Sequence, residues 1–103
     1  MANPITTNTD TDETFDNPAL YWGRQVVVGV SGDTGTFGTL TLRYLVGTDV
    51  CKFDQTDEPA FTSGGGVTVT IPQGATALRF NTAGSSGASI TYTYTLLQTE
   101  VKG

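Results

Sequence analysis

Histidine is missing from this 103-residue chain, and cysteine and tryptophan occur once each. Without histidine there is no imidazole base and no Ser-His or Cys-His dyad, and the commonest metal ligand is gone. A zinc site would have to be built from Cys51 and carboxylates, a poor donor set. A lone cysteine forms no intrachain disulfide. In Val50-Cys51-Lys52-Phe53 a strand would turn it inward as a small apolar residue. Charged residues make up only 15% of the chain, well below the usual proportion of about a quarter. No stretch approaches the ~18 apolar residues of a membrane helix. The opening Met-Ala-Asn-Pro-Ile-Thr-Thr-Asn has neither the basic start nor the apolar run of a secretory leader, so the expectation is a product made in a cytoplasm.

Positive charge is scarce as well. The net charge is −5, and no Lys or Arg occurs before Arg24. Asp10, Asp12, Glu13 and Asp16 make the first twenty residues acidic, whereas acids and bases nearly balance in the rest. A nucleic-acid-binding protein needs a basic footprint to displace counterions from phosphates, and none is present.

What is abundant is threonine alternating with apolar residues. Residues 39–46 read TLTLRYLV, 67–71 read VTVTI and 90–96 read ITYTYTL. A period of two means strands with one dry and one wet face. Strands are expected over residues 21–30, 39–46, 50–53, 67–71, 77–83 and from about 88 to 98. The arm or residues 57–63 could supply a seventh or eighth. The inward residues should be Leu40, Leu42, Tyr44 and Val46; Val67, Val69 and Ile71; Leu78 and Phe80; and Ile90, Tyr92, Tyr94 and Leu96. Gly29 suggests a bulge or a close backbone approach. Gly- and Pro-rich connections between short strands, with no helical period, predict an all-β fold: a small antiparallel β-sandwich or jelly-roll-like barrel. Residues 1–20 lack periodicity and carry Pro4 and Pro18. They are expected to be a flexible acidic N-terminal arm leading into a single sandwich domain at 21–103.

Few groupings could carry chemistry. Asp54, Asp57 and Glu58 share one loop and could form a hydrolytic carboxylate pair, although loop acids are ordinarily just solvated. Asp10-Thr11-Asp12-Glu13 has the first spacing of a calcium loop but lacks its turn glycine. Gly64-Gly65-Gly66 precedes a strand and no lysine follows, so it is not a phosphate loop. Tyr21 and Trp22 could form a sugar-stacking platform, and flat rows of threonine can bind ice or carbohydrate. Against both stands the ordinary reading of core anchors and a wet sheet face. The expectation is therefore no catalytic set, no metal site and no cofactor.

One resemblance spans about three-quarters of the chain. It runs through Trp22-Gly23, residues 26–30, Gly35-Thr-Phe-Gly38, residues 39–46 and 49–53. It continues through residues 67–71, Pro72-Gln-Gly74, residues 77–81, Gly84–Gly87 and residues 88–97. This pattern of Gly-flanked alternating strands resembles the small β-sandwich proteins of tailed-bacteriophage virions. The resemblance implies a structural virion role on the capsid exterior, as a decoration (cement) protein that binds the major capsid protein, often as a homotrimer gripping through N-terminal arms. Neither nucleic acid nor a membrane is an expected partner. Contact residues are expected at Ile5, Phe15, Leu20, Tyr21 and Trp22, because they precede or open the first strand. The arm's acidity would then face a basic groove in the shell. A tail, fibre or neck module and a carbohydrate-binding module are the alternatives.

Overall fold

The computed structural model describes residues 3–32, 35–54, 56 and 58–97. Among the described residues, nine strands form two antiparallel sheets: β1 (Asn3–Ile5), β2 (Asp10–Thr14), β3 (Gln25–Gly32), β4 (Thr39–Val46), β5 (Asp49–Lys52), β6 (Ala60–Phe61), β7 (Gly65–Thr70), β8 (Ala77–Ala83) and β9 (Ile90–Leu96). Sheet A has the order β1-β9-β3-β7. Sheet B has the order β2-β8-β4-β5, with β6 pairing the same edge of β4 as β5, further along. Apart from the β4–β5–β6 run, successive strands lie in opposite sheets. That interleaving is the strand order of a jelly roll, the two-sheet solution with two Greek keys.

The inner faces meet in one core. Val26, Val28, Leu40, Leu42, Leu78 and Phe80 are fully buried, each on the inward parity of its strand, as is Ile71, which continues the parity of β7 just past its end. The expected inward residues of β7, β8 and β9 are confirmed, and Tyr92 and Tyr94 face the chain's own interior. β4 departs from expectation at its end. Leu45 is buried and Val46 is 39% exposed. Leu45 lies on the outer face beside Ala77, its partner in β8, while Val46 runs past the end of the core into the β4–β5 turn. Cys51 is half-buried opposite Tyr44, at the margin of the core.

The expected flexible arm is largely sheet. β1 adds to β9 through Asn3↔Tyr92 and Ile5↔Ile90. β2 adds to β8 through Asp10↔Asn81, Asp12↔Arg79 and Thr14↔Ala77. The physical reason is threefold: Ile5 and Phe15 are buried, each strand satisfies an otherwise bare ladder edge, and Arg79 offsets the local acidity. The chain crosses from sheet A to sheet B at Asn8, which adopts φ 62°. Its side chain ties the turn down, donating to the Ser85 carbonyl (3.0 Å) and accepting from the Ser85 amide (2.9 Å). Residues 18–20 form one turn of 3-10 helix before β3.

Two loops interlock at that end of the sandwich. Thr36 and Ser86 exchange backbone hydrogen bonds of 2.8 and 2.9 Å. Gly38 adopts φ +76°, and a Cβ there would stand 2.3 Å from the Ala83 carbonyl oxygen, so only glycine fits. Gly29 makes no bulge, since its pairing is continuous on both sides. It is a close approach: a Cβ would meet Thr93 Oγ1 at 3.2 Å.

Candidate functional surface

Charge is divided by sheet. Not one residue of β1, β3, β7 or β9 is charged. β2, β4, β5 and β8 carry Asp10, Asp12, Glu13, Arg43, Asp49, Lys52 and Arg79. On the outer face of sheet A, Thr91, Thr93 and Thr95 of β9 and Thr68 and Thr70 of β7 flank Gln25, Val27, Gly29 and Ser31 of β3. The two threonine rows are thus separated by a strand of mixed character, and adjacent flat rows suited to ice are not formed. Where Gly29 lacks a side chain, a shallow depression opens, lined also by Ser31, Gly65, Thr91 and Thr93.

The outer face of sheet B is an ionic grid. Arg79 makes a bidentate contact with Asp12 (Nε–Oδ1 2.7 Å, Nη2–Oδ2 2.9 Å) and reaches Asp10 at 3.4 Å. Asn81 donates to Asp10 at 2.8 Å. Arg43 stands opposite both Arg79 and Lys52, a like-charge arrangement that would repel without anions nearby. Glu58 supplies one, accepting from Arg43 Nε at 2.7 Å. That hydrogen bond holds the Glu58 carboxyl below the usual carboxylate range and raises Arg43; Asp12 raises Arg79 in the same way.

Glu13 has the opposite parity to Asp10 and Asp12, so it points into the sandwich. It accepts the hydroxyl of Tyr92 and, at 2.9 Å, that of Tyr94, bridging β2 of one sheet to β9 of the other. Burial, reinforced by these bonds to Glu13, raises both tyrosines well above their ordinary value. Phe80 stacks on Tyr92 with centroids 4.2 Å apart.

The residues singled out from sequence fare differently from one another. Ile5 and Phe15 are core, with 6% and 3% exposure, and are not free contact residues. Tyr21 stacks on Phe15 at 4.1 Å, and Trp22 donates from Nε1 to the Ala75 carbonyl at 2.9 Å. Both are half-buried and packed on the core, so they do not form an open sugar platform. Leu20 alone of the five is well exposed, at 53%. Arg24 bridges it to exposed Leu97 by donating to both carbonyls. The two described loop acids, Asp54 and Glu58, are engaged by different partners. Asp54 accepts from the Thr56 amide and hydroxyl, Glu58 is held by Arg43, and Asp57 lies outside the described residues. Asp10 and Asp12 are strand residues engaged by Arg79 and not a calcium loop. Among the described residues no group of His, Cys, Asp or Glu could hold a metal, and no helix is long and apolar enough to cross a membrane.

Sequence reasoning missed the roles of Glu13 and Asn8, and it allowed the arm to supply a strand without placing β1 on β9 and β2 on β8. The available signal was the alternation of Asp10, Asp12 and Thr14 with Thr11 and Glu13, a period of two hidden by the acidity. Comparison with family models, with curated proteins and with solved structures gives no match to this chain.

Proposed function

We propose that this chain is a structural protein of a virion, a capsid decoration protein that stabilises a bacteriophage head by binding the outside of its shell. The observation that carries the reading is the separation of charge: one whole sheet presents an uncharged Thr/Val/Gly face on an acidic protein. Such a face loses little solvation when covered, because no ion need be stripped of water. Binding would bury that face, with Leu20 and Leu97 at one end, against the major capsid protein. The jelly-roll strand order supports the reading only by analogy, since viral coat domains and lectins share it and a fold does not fix a function.

The test is cosedimentation of the purified protein with expanded phage heads that lack it. The expected result is saturable binding in a fixed ratio to the capsid subunit, lost when Val27→Asp places a charge on the face. Failure to bind heads, with a few copies found on tails instead, would refute the decoration reading and favour a tail, fibre or neck module. A specific hit on a glycan array would favour a carbohydrate-binding module.

A further inference from the structure

We infer that β7 is a self-pairing edge, and that two copies of this chain join antiparallel through it to make one continuous eight-stranded sheet. Sheets end in bare rows of N–H and C=O groups, and proteins blunt such rows with short strands, proline or charge. Three of the four edges here are blunted. β1 has three residues, one of them Pro4. β2 carries Asp10, Asp12 and Glu13. The far edge of β4 is covered by β5, which has a charged residue at each end, and by the two residues of β6. β7 differs from these. Its six residues, Gly-Gly-Val-Thr-Val-Thr, contain neither charge nor proline, and its described pairing is to β3 alone.

Which groups point outward follows from Ile71, just past the strand. Its amide donates to the Arg24 carbonyl (2.9 Å), and its carbonyl accepts from the Gly23 amide (2.8 Å), so both turn toward the β3 side. Alternation turns Gly65, Val67 and Val69 the same way. The N–H and C=O groups of Gly66, Thr68 and Thr70 therefore face away from the sheet. Pro72 occupies the next outward position and, lacking an N–H, ends the row.

A second copy fits this row by symmetry. With a twofold axis at Thr68, Thr68 meets Thr68 of the second copy, and Gly66 meets its Thr70. These are hydrogen-bonded pairs, which satisfy all three outward residues on each side. Val67 falls opposite Val69 on the inner face, extending the two cores toward each other, while the threonines remain on the uncharged outer face. The absence of charge on this edge suits a partner edge that is likewise uncharged, as a second copy of β7 is. Each chain carries −5, and sheet A is the sheet with no charged strand residue, so copies meet there with least repulsion. A twofold contact builds dimers, in place of the trimer that the phage resemblance implies. The inference rests on strand geometry and not on shell binding, so the two can fail separately.

The experiment is light scattering on the full chain from micromolar to millimolar concentration, with amide hydrogen exchange. The expected mass is twice the chain's 10.8 kDa. The amides of Gly66, Thr68 and Thr70 should be protected, and that protection should fall with the dimer on dilution. Thr68→Pro removes an N–H that β3 does not use, so it should give a folded monomer. Thr68→Lys keeps every β3 bond and sets two ammonium groups face to face. It should weaken the dimer about fivefold or more at low salt, and it decides the matter if the proline variant does not fold. A monomer at every concentration, a trimer, or a dimer indifferent to both substitutions would overturn the inference. So would protection of the three amides in a monomer, which would mean that a segment of the same chain covers the edge.

Discussion

Glu13→Ala is the substitution that most directly tests how the two sheets are held together. It removes the acceptor of the Tyr92 and Tyr94 hydroxyls. Tyr92 is 3% exposed, so water cannot readily replace the lost partner, whereas half-buried Tyr94 can turn toward solvent. Hydrogen bonds to a charged group contribute about 1.5–3 kcal/mol net, and a buried hydroxyl left unpaired costs about 1–3 kcal/mol. These overlap, and a loss of about 2–4 kcal/mol is expected. A domain of this size has about 5–15 kcal/mol in all. At 4–8 °C per kcal/mol the midpoint of thermal unfolding should fall by roughly 10–30 °C. Glu13→Gln keeps the stem and one acceptor oxygen and should lose about half as much. The assay is urea unfolding of Glu13→Ala, Tyr92→Phe and the double variant. If the carboxylate and the hydroxyl interact as described, the double variant should be more stable than the sum of the single losses by about 1.5 kcal/mol. Additivity within ~0.4 kcal/mol would refute the bridge.

Three further outcomes follow from the same packing. Deleting residues 1–16 strips β1, β2, Ile5 and Phe15 from the sandwich, so the remainder should show no cooperative unfolding transition; a truncated chain with the native transition would restore the view of this segment as a loose arm. Gly38→Ala should cost about 2 kcal/mol or more, from a positive φ plus the clash with the Ala83 carbonyl, while Gly74→Ala, also at positive φ but with open space around it, should cost only about 1 kcal/mol; equal losses would contradict the loop interlock. Tyr44, Tyr92 and Tyr94 titrate above the ordinary tyrosine range when folded, chiefly through burial, so above pH ~10 the unfolded chain releases protons that the folded chain keeps. The tyrosine contribution to stability should therefore be level below about pH 10 and then fall by up to ~1.4 kcal/mol per pH unit for each tyrosine; rising stability above that pH in chemical denaturation would contradict the assignment.

Local pattern was enough for the strands whose two faces differ in polarity. TLTLRYL, VTVTI and ITYTYTL each commit one face to the core, because a slip of one residue would expose every apolar side chain. That logic yielded the all-β sandwich and most of its inward residues from sequence. It failed at Leu45 and Val46, where β4 outruns the core and parity no longer decides burial. It also failed in the first twenty residues, where acidity and the two prolines outweighed a real alternation. An acidic strand is stable only beside a cation, and Arg79 lies 67 residues from Asp12.

The sequence by itself determined the fold class and the small chemical repertoire, because period and composition are local properties that no partner can change. Only the tertiary structure decided the rest. It placed Glu13 between two tyrosines, turned Ile5 and Phe15 into core, and gathered the charged strand residues onto one sheet. Among the described strands, it also left β7 as the one edge with neither charge nor proline. Those outcomes depend on which strand lies beside which, and strand order is set by packing across the whole chain, with partners such as Asn3 and Tyr92 paired from opposite ends of it.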